Sequence, residues 1–214
     1  MVSAACRYRL GASKLGGVIF WQIDQEECVR DGKVMYYRAD CHRDKQHNPN
    51  WVSALLRQRD PFPNSPHETS HCFFGTHLLG VAGRDVCVVE AEKTAFVMSE
   101  LYPKYVRLAA GGLGEVQVEK FRPLRGHKVI LFPDTDPDGI AFKRWSDAAN
   151  LVMNQVFWED SPPIRVSPVL ELHASPSQKA AKIDLIDFLF EPQIAQISQI
   201  YYDRISTERT ITVD

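Results

Sequence analysis

No apolar run in the 214-residue chain approaches the ~20 residues that a membrane-spanning helix needs. The start lacks the apolar core of a signal peptide, so neither a membrane partner nor secretion is expected. There is no strong charge of either sign: the formal net charge is −2, and nucleic-acid binding would have to rest on a local basic patch. The five cysteines, Cys6, Cys28, Cys41, Cys72 and Cys87, form no CxxC pair. That suits free thiols in a reducing cytoplasm better than a disulfide framework. No spacing among Cys41, His42, His47, His67, His71 and Cys72 matches a structural zinc site. A GxxxxGK[ST] phosphate loop is absent, which excludes a P-loop motor within these residues. There is no internal repeat and no low-complexity tract.

What is present is concentrated between Asp85 and Trp145. Val86-Cys87-Val88-Val89 is a buried-type strand ending on Glu90, and a helical pattern from Ala91 to Leu101 follows. Tyr105 to Ala110 is a second strand, running into Gly111-Gly112-Leu113-Gly114. Lys128 to Phe132 is a third, ending in Pro133-Asp134-Thr135-Asp136-Pro137-Asp138-Gly139 before a long amphipathic pattern that Pro162-Pro163 closes. Strands that alternate with helices predict an α/β fold with a parallel sheet covered on both faces. Ligands of such sheets bind at the carboxyl ends of the strands.

Upstream, Met1 to Leu15 shows little periodicity and reads as a loose lead-in. Gly17 to Asp24 and Lys33 to Arg38 read as antiparallel strands with a turn signal at Asp31-Gly32. Trp51 to Arg57 has room for one or two helical turns, and the prolines of Arg59 to Ser70 mark a linker. Downstream, Ile164 to His173 alternates like a strand. Lys182 to Leu189 and Ile194 to Tyr202 read as helices. The expected division is a small β-rich subdomain and linker over residues 1–70, an α/β core over 71–161, and a strand-and-helix extension over 162–214.

Glu90, Asp134 and Asp136 would meet on one edge of the sheet, with Asp138 close by. Carboxylates so placed repel unless a cation lies between them, and oxygen ligands of this kind suit Mg²⁺ or Mn²⁺. A second reading stands for Asp136: followed by Pro137, it is also a good helix cap. Lys93, in the first turn after Glu90, is either a phosphate contact or a solvated helix lysine. Gly111 and Gly112 are either a backbone anion cradle at a following helix start or an ordinary turn. Arg38, Arg43 and Lys45 are candidate contacts to a nucleic-acid backbone, or, with Asp40 and Asp44 among them, a solvated loop. Trp21, Tyr36 and Tyr37 could stack on bases, although some must be core.

Val89-Glu90-Ala91-Glu92-Lys93-Thr94-Ala95, then Gly111-Gly112, then Asp134-Thr135-Asp136-Pro137-Asp138-Gly139 resembles the Toprim domain of bacterial primases, topoisomerases and certain nucleases. The resemblance implies that Glu90 takes the strand-end Glu role and that Asp134 and Asp136 take the metal roles, with Glu92 ranked second to Glu90. The hairpin around Gly17 to Arg38, Phe73-Phe74-Gly75 and Leu78-Leu79 extends it. From about Leu10 to Leu189 the chain is similar to primase-like proteins of bacterial mobile elements, whose acidic-apolar segment Lys182 to Leu189 resembles. Ala91 departs from the glycine that often follows the Toprim Glu. The implied function is primase-like nucleotidyl transfer with Mg²⁺ or Mn²⁺. Its partners would be single-stranded DNA or RNA, nucleoside triphosphates, and a helicase or other replication protein. Two alternatives stay open: metal-dependent phosphodiester cleavage by the same residues, and a non-catalytic Toprim scaffold. Nothing marks a nucleophilic tyrosine, which argues against a topoisomerase.

Overall fold

β-branched and aromatic residues give β2 (Val18–Ile23) its extended form. It pairs with β1 (Gly11–Ala12) on one side and with β3 (Val29–Met35) on the other, and β3 pairs with the short β4 (Asn50–Trp51), all antiparallel. The computed structural model describes residues 2–39, 41–58, 70–80, 84–157 and 161–190. The stretch before β1 is not a loose lead-in. It forms α1 (Val2–Arg7), and Ala4 and Tyr8 are fully buried beside it. Six residues are too few to show a helical period, so only the packing reveals this element.

The hairpin turn lies earlier than the Asp31-Gly32 signal predicts. The Asp24 carboxylate accepts the N–H groups of Glu26 at 3.0 Å and Cys28 at 2.9 Å and pairs with Arg30, closing the turn over residues 24–28. Asp31 and Gly32 therefore lie inside β3. Gly32 is needed there because a Cβ would come within 2.7 Å of the Trp21 ring on the paired strand. Asp31 turns inward and accepts from the Ser53 N–H at 3.0 Å and the Ser53 hydroxyl at 2.6 Å, which fixes the start of α2 (Val52–Arg57).

The second sheet is parallel, in the order β6 (Val106–Ala109), β5 (Val86–Val89), β7 (Val129–Phe132), β8 (Arg165–Val166). Every residue of β5 and β6 is buried, as expected of strands covered on both faces. The helix α3 (Glu92–Leu101) returns the chain from β5 to β6. The 16-residue α4 (Ile140–Gln155) buries Ala141, Trp145, Ala149 and Val152, a single helical stripe. α4 ends at Gln155, ahead of Pro162-Pro163.

Ile164 to His173 is not one strand. Only Arg165 and Val166 pair, with Ile130 and Leu131. Pro168 has no N–H to continue the ladder, and α5 (Val169–His173) begins directly after it. A further helix, α6 (Pro176–Ala181), opens with a capping box between Ser175 and Gln178. Residues 185–190 are helical. The proposed linker (all but Ser70) and the proposed helix from Ile194 to Tyr202 lie outside the described residues.

One apolar cluster fills the space between the parallel sheet, α4 and the 3₁₀ turn at Val118–Leu124. A second joins the two sheets. Tyr8 stacks on Phe74 at 4.9 Å, Phe20 meets Phe74 edge-on at 5.4 Å, and Val89, Ala95 and Ala109 complete the contact. The antiparallel sheet is thereby held against the parallel one, with β3 facing the start of α3.

Candidate active site

The residue after β5 is Glu90, the residues after β6 lead to Gly111, and Pro133-Asp134 follow β7. Parallel register places all three strand ends on one edge: Val89 is level with both Ala109 and Phe132. Glu90 and Asp134 accordingly line the same two clefts. The first, about 260 Å³, adds Lys33, Tyr37, Arg43, Lys93 and Asp184. The second, about 590 Å³, adds Asp136, Asp138 and Lys182.

Both strand-end carboxyls are pushed above the ordinary carboxylate range. For Asp134 burial is the largest cause, followed by the negative charges of Glu90, Asp184 and Asp187, with Lys93 opposing. For Glu90 burial again leads, opposed by a hydrogen bond from the Leu113 backbone N–H and by Lys33. The turn after β6 thus directs its Leu113 N–H at Glu90 itself. It does not open a helix: Gly112 and Glu115 close a turn, and the next helical residue is Val118. The helix start expected after Gly114 is replaced by this loop.

Asp136 plays a different part. Its carboxylate accepts from the N–H groups of Asp138 at 2.9 Å, Ile140 at 3.1 Å and Ala141 at 2.7 Å. Burial would raise its pKa, but these three donors outweigh it and hold the group below the usual range. α4 begins at Ile140 with Gly139 as the capping residue, so Pro137 is not the first helical position. Asp136 instead reaches forward to the orphan donors from outside the helix. Asp138 is exposed on the rim of the larger cleft.

Two side chains, Lys33 and Asp184, had little signal in the sequence. Lys33, on β3, donates to the Gly111 carbonyl at 2.6 Å and lies 3.1 Å from Glu92 Oε1. Glu92, the first residue of α3, is buried by this pairing. Asp184 accepts from the Thr94 hydroxyl at 2.6 Å, lies 3.9 Å from Lys93 Nζ, and caps residues 186 and 187 through its other oxygen. Its acidic-apolar surroundings were legible, whereas its contact with α3 joins residues 90 positions apart. Lys93 therefore faces Asp184 and the cleft together. Of the other cations, Arg43 lines the smaller cleft and is exposed, bridging to Tyr37, while Arg38 and Lys45 are exposed on the adjoining hairpin and line neither cleft. Tyr36 stacks on His47 at 4.6 Å, and Trp21 covers Gly32.

The donor set suits a hard divalent cation. Glu90 and Asp134 line the same clefts, and a cation there would offset the negative charge that helps to raise each of them. Asp136 offers less, because its oxygens already serve three N–H groups. Among the described residues no three His, Cys, Asp or Glu side chains stand close enough together to hold a metal. The fit is to a two-carboxylate site completed by water or substrate oxygens, the usual manner of Mg²⁺.

No curated protein matches the chain. Among solved structures, the primase fragment of the bacteriophage T7 primase-helicase is similar, with 19% identity and a TM-score of 0.50 over 77% of this chain. The chain spans 59% of the length of that fragment. Primase domains of T7 gp4, in a structure with the T7 lagging-strand DNA polymerase, an RNA/DNA hybrid and dTTP, give 16% identity and a TM-score of 0.47, over 82% of each chain. The RNA polymerase domain of Mycobacterium tuberculosis primase DnaG gives 14% identity and 0.43, over 95% of this chain and 69% of that one. The likeness to the T7 fragment is one of fold: an α/β core with a parallel four-stranded sheet flanked by helices and joined to an antiparallel sheet. Residues 1–135 match the family model named Domain of unknown function (DUF6371), and the chain belongs to that family.

Proposed function

We propose that this edge of the sheet is a Toprim-type site for metal-assisted nucleotidyl transfer on nucleic acid. The observation that carries the reading is the Glu90–Asp134 pair, two desolvated carboxylates on adjacent parallel strand ends, each raised in part by burial and by neighbouring negative charge. Glu90 and Asp134 would hold Mg²⁺ or Mn²⁺, which supplies charge neutralisation at the phosphates of a bound nucleoside triphosphate. Asp136 shapes the floor by fixing the start of α4, and Asp138 lines its rim.

Lys93 and Arg43 face the smaller cleft and would bind and orient the triphosphate or a strand phosphate. Gly111 and Gly112 let the backbone turn closely enough for Leu113 N–H to fix the Glu90 carboxylate. Arg38 and Lys45, exposed beside Arg43, extend the basic side along which a single-stranded template would lie. A helicase or another replication protein is the partner that such a site implies, and the primase-like proteins of mobile elements are the setting that the motif resembles.

One observation favours a second reading. The engagement of Asp136 by three backbone donors is compatible with a fold kept as a non-catalytic module. Incubation with single-stranded DNA, all nucleoside triphosphates and Mn²⁺ separates the readings. New labelled oligonucleotides, lost in Glu90→Gln and Asp134→Asn, are expected. Shortened DNA with the same dependence would replace transfer by phosphodiester cleavage, and no product in any condition would leave the module reading.

A further inference from the structure

The opposite edge of the parallel sheet holds a basic cavity. It lies where α3 returns the chain to the start of β6 and encloses about 140 Å³ between Arg7, Tyr8, Arg84, Ser99, Tyr105 and Arg107. Three guanidinium groups line it, and none of them belongs to the acidic clefts.

Arg107 is the unusual member. It sits on β6 and is only 4% exposed, yet its Nε and Nη1 are buried with no hydrogen-bond partner among the described residues. Its charge rests instead on aromatic faces, 4.9 Å from the Tyr105 ring and 5.8 Å from that of Tyr102. Arg84 repeats the pattern: Nη1 donates to the Pro103 carbonyl at 3.1 Å, while Nε is buried and unpartnered. Arg7 donates to Ser99 Oγ at 3.3 Å and to Glu100 at 2.9 Å. Glu100 is thus a carboxylate in contact with the cluster, and it engages the outermost arginine. Buried donors are normally paired, and charged ones most strictly. Planar guanidinium forks with open N–H groups match the oxygens of a phosphate.

We propose that Arg7, Arg84 and Arg107 form a binding site for a single phosphate group at the amino-terminal edge of β6. Its volume is below the ~300–1,000 Å³ of sites that enclose drug-sized ligands, so it takes one tetrahedral anion rather than a whole nucleotide. The Tyr8 hydroxyl, which donates to the Arg107 carbonyl at 2.7 Å, fixes the backbone at the base of the site. The phosphate is either free in solution or the terminal group of a strand.

The test is a titration of the full chain with inorganic phosphate, followed by calorimetry against chloride of equal ionic strength. Saturable binding is expected, weakened about tenfold or more in Arg84→Gln and in Arg7→Gln, each of which removes charge-assisted hydrogen bonds. Arg107→Gln should abolish it, and the two half-exposed variants stand in if that buried replacement does not fold. A 5′-phosphorylated single strand that binds better than its 5′-hydroxyl twin, with the gap closed by Arg84→Gln, would assign the phosphate to a strand end. Equal binding of the two strands, alongside saturable inorganic phosphate, would assign it to a free anion. The proposal is overturned if phosphate and chloride behave alike, or if both Arg84→Gln and Arg7→Gln bind phosphate as the wild type does.

Discussion

Lys33 stands 3.1 Å from Glu92, and through this pair the antiparallel sheet grips the first turn of α3 beside the acidic cleft. The side chains are 13% and 3% exposed, and Lys33 also holds the Gly111 carbonyl. One contact thus ties β3, α3 and the turn after β6.

Breaking a buried pair by removing one partner leaves the other charge uncompensated. Lys33→Met should therefore destabilise the fold by about 3 kcal/mol. Lys33→Met/Glu92→Leu should recover much of that loss, because the stranded charge is gone. Urea unfolding of the single and double variants measures both. Equal losses in the two would mean that the pair contributes only packing.

Gly111 has φ +94°, and a Cβ there would meet Glu92 Oε1 at 3.1 Å. Gly111→Ala should cost about 1–3 kcal/mol through backbone strain alone. It should also displace the Lys33–Glu92 pair. A Gly111→Ala protein as stable as the wild type would show that this turn relaxes freely.

Asp136 contributes as a cap. Asp136→Ala should cost about 1–2 kcal/mol at neutral pH, and Asp136→Asn distinctly less, since an amide oxygen still accepts. The folded pKa of Asp136 lies below its ordinary value, so its contribution is present above that value and fades as pH falls through the depressed one. A comparison of wild type and Asp136→Ala across acidic pH should show the two curves converging.

Asp134 behaves in the opposite sense. Its folded pKa is raised, so the folded state holds more protons than the unfolded one. Stability should fall as pH rises from the ordinary carboxylate value through the raised one. Asp134→Asn should flatten that fall and be the more stable protein at pH 8 in the absence of divalent ions. If instead the variant is less stable at pH 8 and keeps the slope, the repulsion ascribed to this site is not there.

The parallel core was readable because strands buried on both faces are unbroken apolar runs, as in Val86–Val89, and because α4 repeats its stripe over 16 residues. α1, β1 and the true extent of β8 were not. α1 and β1 are shorter than any reliable period, and β8 is ended by Pro168 after two paired residues. The Asp31-Gly32 pair misled for a physical reason: it carries the composition of a turn but makes room for the Trp21 ring on the paired strand and holds the half-buried Ser53. At the candidate site, Glu90 and Asp134 could be placed from strand ends alone. Lys33 and Asp184 could not, because their partners are 59 and 90 residues away and only the tertiary packing brings them in.

The most direct measurement is Mn²⁺ binding to the intact chain at pH 8, read by electron paramagnetic resonance beside Glu90→Gln and Asp134→Asn. If the two carboxylates form a cation site, the wild type should bind Mn²⁺ and each variant should weaken it by about tenfold or more, a loss of ~1.4 kcal/mol or greater. Binding of equal strength in all three proteins, or none in the wild type, would contradict the account.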